Sequence, residues 1–326
     1  MVFVNEIADI VHNVVDEFGG ASNKNIGDCF LFVWKFALED CIEKPEEARF
    51  YVEKNQKTRA LAELAFMSFV KVQSSITKSS RLEKYRHNSA LVVKLAGMSS
   101  EYKIKIGFGL HLGWAIESAI GSEFKIDASY LSPHVNVASR LEALTKLYGV
   151  TMLVSDEVVD MLRDPLQGFL RMVDRVRIKG LQEAIYIYTI DLHVMSLNIE
   201  DDDQIEATGI SKKKHRIQAR NDKERKRKDY LTGKVTLKSF LESQADFIQM
   251  RRVFRPEFYT LWDQGIDYYM RGDFSEAKEV FEKTEKFLQP EHTDLLSKKM
   301  IEIMIEMGME KPMDWDQGRL LADADY

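Results

Sequence analysis

Phe124-Lys125-Ile126-Asp127-Ala128-Ser129-Tyr130-Leu131-Ser132-Pro133-His134-Val135-Asn136-Val137-Ala138-Ser139-Arg140-Leu141-Glu142 organises the sequence around it. From Val135 to Leu147 the pattern predicts a helix, which puts Asn136 and Arg140 one turn apart on one face. Upstream, Lys103–Leu112 alternates, with Ile104, Ile106, Phe108 and Leu110 on one side of a strand, and Gly113–Ile120 continues into the next strand after a turn. Downstream, Val150–Val154 reads as a short strand, and Ser155 is placed to cap a helix starting near Asp156. Val173–Ile178 and Ala184–Ile190 read as a final strand pair around Lys179-Gly180. Strands and helices alternate, so the predicted class is α/β (α+β) with a layered sheet.

Further upstream, Val4, Ile7, Val11, Val14, Val15 and Phe18 recur at helical spacing, and Gly19-Gly20 ends that helix. A hairpin follows: Ser22–Ile26, a turn at Gly27-Asp28, and the apolar return arm Cys29–Phe36. Residues 43–100 are expected to be mostly helical, with Leu61, Leu64, Ala65, Phe69 and Val72 on one face and Leu91, Val92 and Leu95 on another.

A chain of 326 residues is long enough for a substantial core in one or two domains. Its net charge of −6 gives no reason to expect nucleic-acid binding. Two cysteines, Cys29 and Cys41, make no disulfide framework and have no zinc-like spacing, which favours burial or an incidental role in a reducing, cytoplasmic compartment. No apolar run approaches the ~20 residues of a membrane span.

After Leu192 the character changes. Glu200–Asp203 is acidic, and residues 212–228 hold ten Lys/Arg in 17 positions, too polar to form a core. Residues 193–253 therefore read as a charged linker or charged helix. The sharper alternatives are a nuclear signal, an acidic-lipid patch or a site for an acidic protein. Residues 254–326 read as a helical segment. Gly265, Tyr268, Ala277 and Phe281 have the spacing of a tetratricopeptide (TPR) repeat, with Arg271-Gly272-Asp273 as the turn and Leu295–Met309 as a further helix. An ordinary helical hairpin is the alternative. One such repeat must pack on the rest of the chain or on a protein partner, because about three are needed for independent stability.

Phe124–Glu142, together with Gly107-Phe108-Gly109-Leu110-His111-Leu112-Gly113 and the earlier Asn23-Lys24-Asn25-Ile26-Gly27-Asp28, resembles the catalytic domain of class III nucleotidyl cyclases, in particular the large cyclase-domain proteins of protists. The resemblance covers roughly residues 1–192. It implies a ferredoxin-like cyclase domain and an adenylate cyclase: a lyase converting ATP to 3′,5′-cyclic AMP and pyrophosphate for intracellular signalling, with Mg2+ or Mn2+. It also implies a homo- or heterodimer with a second cyclase domain, the site forming across the interface.

Residue by residue, the resemblance implies a metal carboxylate at Asp28, with Gly27 letting the backbone approach phosphate. Lys24 would donate to N1 of adenine, and Ser129 would accept from the 6-amino group. Asn136 would orient the ribose and Arg140 would steady charge on the α-phosphate, with Lys179 a candidate triphosphate contact. Taken alone, each has a plainer reading: Gly-Asp is common in turns, a turn lysine is usually solvated, Ser129 could cap a loop, and Asn136/Arg140 could be a polar pair on an amphipathic helix.

Three departures qualify the resemblance, the smallest being Ser118 where a glycine is usual in the Gly113–Gly121 strand-turn. The family's triphosphate lysine would align near Leu181, and a strand carrying a first metal aspartate normally precedes the position of Asp28, which here has 27 residues before it. The expectation is therefore a domain lacking its first strand. It could be a fragment of a longer enzyme, a chain completed by another, or a catalytically inactive cyclase-like scaffold or interaction module, with a ciliary or membrane setting reached through a preceding region or partner.

Overall fold

Val2–Glu17 forms α1, burying Ile7, Ile10, Val11, Val14 and Val15. Gly19, at φ +80°, turns the chain out of it. Strands β1 (Ala21–Ile26) and β2 (Cys29–Val33) pair antiparallel, with a bulge between Ser22 and Lys24. β3 (Cys41–Lys44) and β4 (Arg49–Val52) form a second hairpin. α2 (Gln56–Lys78) opens with a reciprocal capping box between Asn55 and Thr58, and the single turn α3 (Ser80–Glu83) follows. β5 (Phe108–Leu110), β6 (Ile116–Ser122) and β7 (Lys125–Leu131) lead to α4 (Pro133–Tyr148), then to β8 (Met152–Ser155), the short α5 (Asp156–Val159), β9 (Leu170–Arg177) and β10 (Ile185–Ile190). The remaining elements are α6 (Lys212–Leu231), α7 (Leu237–Glu242), α8 (Ala245–Arg251), α9 (Pro256–Arg271), α10 (Phe274–Lys286), α11 (Leu295–Glu306) and β11 (Arg319–Leu320). This computed structural model describes residues 2–26, 29–44, 49–85, 104, 106–122, 125–179, 181, 183–199 and 212–321.

The chain folds as two compact units, each discontinuous in sequence: Met1–Lys105 with Val194–Met250, and Ile106–His193 with Arg251–Tyr326. In the first, α1, α2 and α6 share a core. The basic segment is a helix, and one end of it is packed rather than solvated. Tyr230 is 1% exposed and donates its hydroxyl to Glu63, itself buried in α2. Arg227 donates to the carbonyl of Asp16 at 3.1 Å, and Lys223 pairs with Glu17 at 2.8 Å.

In the second unit a five-stranded sheet runs β11-β9-β10-β8-β5. β9, β10 and β8 are antiparallel neighbours, while β5 on β8 and β11 on β9 are parallel. α4 lies against β5 and β8 through Val137, Leu141 and Leu144, all fully buried. Gly109 allows the approach: a Cβ there would stand 2.1 Å from the Ala138 carbonyl oxygen. β6 and β7 form a separate hairpin with Ser118 opposite Ser129.

The C-terminal helices belong to this same core. Trp262 of α9 and Met300 and Met304 of α11 are buried with Leu144, Tyr148 and Val173. The α9–α10 hairpin has the predicted turn, with Gly272 at φ +87°, and the predicted close contact, since a Cβ at Gly265 would lie 2.7 Å from the Phe281 ring. The packing that one helical hairpin requires is thus met within the chain, on β9 and α4.

Several expectations change. The region after residue 43 starts as the β3–β4 hairpin before Asn55 nucleates α2; Phe50-Tyr51-Val52 favours a strand over a helix. Within the strand read as Lys103–Leu112, β5 covers Phe108–Leu110, and Lys103 and Lys105 lie outside the described residues. Cys29 is exposed, not buried, and Cys41 is half-buried; neither is in a disulfide. Gly27, Asp28, Gly180, the Leu91–Leu95 face and the acidic run at 200–203 lie outside the described residues.

Candidate active site

α4 carries two of the candidate residues, Asn136 and Arg140, and its sequence explains its placement. Ser132 accepts from the His134 backbone N–H at 3.1 Å, Pro133 occupies the first turn, and Gly149 at φ +67° closes the helix. On it, Asn136 is exposed and Arg140, one turn later, is half-buried. Arg140 Nη1 donates to the carbonyl of Lys179, in the turn that follows β9. The structure therefore brings Arg140 to the Lys179 turn, and the Lys179 side chain is exposed there. Ser129 sits half-buried on β7, two residues before that strand ends. Lys24 is half-buried on β1, opposite Leu31, in the other compact unit.

Beneath the first turn of α4 lies a cluster to which sequence reasoning assigned no role. His111 Nε2 is 2.8 Å from His134 Nδ1, and His111 Nδ1 is 2.8 Å from Ser155 Oγ. The two rings stack at 5.0 Å between centroids, and Trp114 meets His134 edge-on. Ser155 occupies the N-cap position of α5, yet its side chain makes no cap bond; the hydroxyl serves His111 instead. Both ring nitrogens of His111 are engaged. A neutral imidazole with one donor and one acceptor satisfies them in either tautomer if Ser155 and His134 take complementary roles.

Burial pushes the His111 pKa down to about 3, helped by the neighbouring His134, and burial lowers His134 as well. Asp156 moves the other way, up to about 6, through burial and the adjacent Glu157 carboxylate. Glu157 also approaches His111 Nδ1 at 3.6 Å. A signal for the cluster was present: Gly113 follows His111 by two, and a Cβ there would fall 2.2 Å from His134 Cγ. Only the folded contact shows why.

Among the described residues, no group of three or more His, Cys, Asp or Glu is arranged to hold a metal ion, and none of their helices is long and apolar enough to cross a membrane.

Residues 1–191 match the family described as the adenylate and guanylate cyclase catalytic domain. The chain belongs to that family. It is 28% identical over 189 residues to an adenylate cyclase of Anabaena cylindrica, an overlap of 58% of this chain and 31% of that protein. Over 88 residues it is 32% identical to the terminal-differentiation-specific adenylate cyclase of Dictyostelium discoideum, covering 27% of this chain and 4% of the other. The chain thus spans less than a third of the length of these relatives. Among solved structures, a bacterial light-regulated adenylyl cyclase aligns with 58% of this chain and 44% of its own, at 23% identity and TM-score 0.39. The adenylyl cyclase CyaB from P. aeruginosa aligns with 58% and 80%, at 17% identity and TM-score 0.38. The cyclase match ends at residue 191, whereas the core of the second unit continues through α9, α10, α11 and β11.

Proposed function

We propose that this cyclase-family chain is an adenylate cyclase that turns ATP into 3′,5′-cyclic AMP and pyrophosphate together with a second cyclase domain. The observation that carries the reading is Asn136 and Arg140 one turn apart on α4, with the Arg140 guanidinium reaching the Lys179 turn.

In the reaction, the ribose 3′-oxygen loses its proton and bonds to the α-phosphorus, and the bond to the bridging oxygen of pyrophosphate breaks. Arg140 is suited to the negative charge that grows on the α-phosphate. Its planar fork of five donors suits bidentate contact with phosphate oxygens. Asn136 is exposed one turn away and would hold the ribose hydroxyls. Lys179 would meet the β- and γ-phosphates. Lys24 and Ser129 are the proposed base-reading pair: the ammonium donates to N1 of adenine and the hydroxyl accepts from the 6-amino group.

Magnesium or manganese, when bound, would neutralise phosphate charge. The described residues assemble no metal site, and Asp28, with Gly27 before it, is the sequence's candidate ligand outside them. Lys24, Ser129, Asn136 and Arg140 are base, ribose and phosphate contacts, so the chain is best suited to contribute that side of a shared site.

The test is purified protein with ATP and manganese, alone and mixed with a cyclase domain whose metal carboxylates are intact but whose arginine equivalent to Arg140 is mutated. Cyclic AMP from the mixture is expected. No product from either preparation would refute the enzyme reading and leave the inactive scaffold.

A further inference from the structure

We propose that Arg319, from the C-terminal segment beyond the cyclase match, is a positioning residue for the reaction: it clamps Tyr148, the last residue of α4, and so fixes the helix that carries Asn136 and Arg140. This rests on the cyclase reading of α4 given above.

Four side chains from four elements meet in the core of the second unit. Arg319 of β11 donates from Nη2 to the Tyr148 hydroxyl at 2.6 Å and from Nε to Asp174 Oδ2 at 2.8 Å. Tyr148 in turn donates to Asp174 Oδ2 at 2.6 Å, and Tyr269 of α9 donates to the same carboxylate at 3.2 Å. Tyr148, Asp174 and Tyr269 are 0%, 1% and 0% exposed. The Arg319 side chain is 10% exposed and lies 5.5 Å over the Tyr148 ring. Burial and the Asp174 carboxylate keep both phenols protonated well beyond the usual range, so each remains a donor.

The backbone makes the clamp directional. β11 pairs in parallel with β9, Arg319 opposite Val176, so the guanidinium is delivered at a fixed register rather than from a loose tail. Asp174 lies in β9, the strand that runs on to Lys179. One charged residue therefore ties the end of α4 to the strand whose following turn holds Arg140.

A buried ion pair with two phenols is an uneconomical way merely to fill space, since apolar groups of similar volume usually serve stability as well or better. What the pair adds is a single allowed arrangement. α4 has 16 residues, and Tyr148 is the end that the clamp anchors. Eight residues separate Tyr148 from Arg140, ~12 Å along the helix. A tilt of about 5° across that length displaces a side chain by ~1 Å, enough to cost on the order of a hundredfold in rate.

The experiment uses the full chain with Arg319→Lys and Tyr148→Phe, each confirmed folded by circular dichroism. Two quantities are read: initial rates against ATP concentration with the complementing domain, and amide exchange across residues 137–148, with β8 amides as internal reference. The expected result is a kcat lower by about tenfold or more with KM nearly unchanged. It should come with faster exchange in the last turns of α4 and unchanged exchange in β8. Wild-type kcat with wild-type α4 protection in both variants would overturn the proposal. So would protection lost equally in α4 and β8, which marks general stabilisation. If the wild-type protein makes no cyclic nucleotide, the enzyme reading fails, and exchange alone decides the clamp: selective loss at α4 supports it and unchanged protection overturns it.

Discussion

His111 Nε2 lies 2.8 Å from Nδ1 of His134, which sits in the first turn of α4. With its pKa pushed down to about 3 by burial, His111 binds fewer protons in the folded chain than in the unfolded chain between about 3 and its ordinary 6.5. Stability therefore falls as pH drops through that window, by about 2 kcal/mol at pH 5 from this group. His134, also lowered, adds in the same direction. Asp156, raised to about 6, opposes them, because the folded chain takes up its proton first. Replacing His111 by Gln removes one titration and leaves Asp156 and Glu157 in place. Urea unfolding at pH 7 and pH 5 should show a smaller loss in the variant than in the wild type. Equal losses would exclude the buried neutral pair.

Arg171 is enclosed by Asp191 and by Asp294 at 2.8 Å, with its guanidinium 4.4 Å from the Trp262 ring. Burial alone would disfavour the charge, yet the two carboxylates hold the guanidinium firmly protonated. Asp294→Ala leaves a buried cation short of a partner and removes the cap on Ser297 of α11. A loss of about 3–5 kcal/mol is expected by denaturant titration. A change below 1 kcal/mol would mean the network relaxes without it.

Gly109→Ala should destabilise by about 1–3 kcal/mol or more, because the new methyl meets backbone atoms of α4 that cannot move without shifting the helix. Gly168→Ala is the control. Its Cβ would find only Asp164 Oδ1 at 3.6 Å, and a change within about 0.5 kcal/mol is expected. Thermal melts of the two variants give the comparison.

Arg140→Ala should lower kcat by about a hundredfold to a thousandfold with little change in KM, if the guanidinium acts on charge that grows in the transition state. A rise in KM at constant kcat would reassign Arg140 to ground-state binding.

Lys24→Glu, combined with a complementary change at Ser129, should move preference from ATP toward GTP, since guanine offers donors at N1 and N2 where adenine accepts at N1. Competition between the two nucleotides measures it, and an unchanged preference for ATP removes both residues from base reading.

Much of the fold was legible before any contact was known. The pattern from Val135 to Leu147 gave the body of α4, while the caps at Ser132 and Gly149, and the Asn55–Thr58 box that starts α2, went unread. The alternation in Val173–Ile178 and Ala184–Ile190 gave the β9–β10 pair, and Gly265 with Phe281 gave the α9–α10 hairpin. Periodicity and glycine spacing are short-range signals, and they sufficed for these elements. Ser155 was misread because a hydroxyl before a helix looks like a cap from sequence; His111, 44 residues earlier in the chain, takes that hydroxyl instead.

By itself, the sequence determined the family, the helix that carries Asn136 and Arg140, and the chemical character of each candidate contact, because these depend on residue type and near-neighbour spacing. Only the tertiary structure decided that the C-terminal helices share a core with the cyclase sheet, and that Tyr148 and Asp174 wait for Arg319 from 145 residues beyond the carboxylate. No local pattern announces such a group. A buried carboxylate and two buried phenols must find donors and acceptors somewhere in the fold, and which residue supplies them is settled by chain topology.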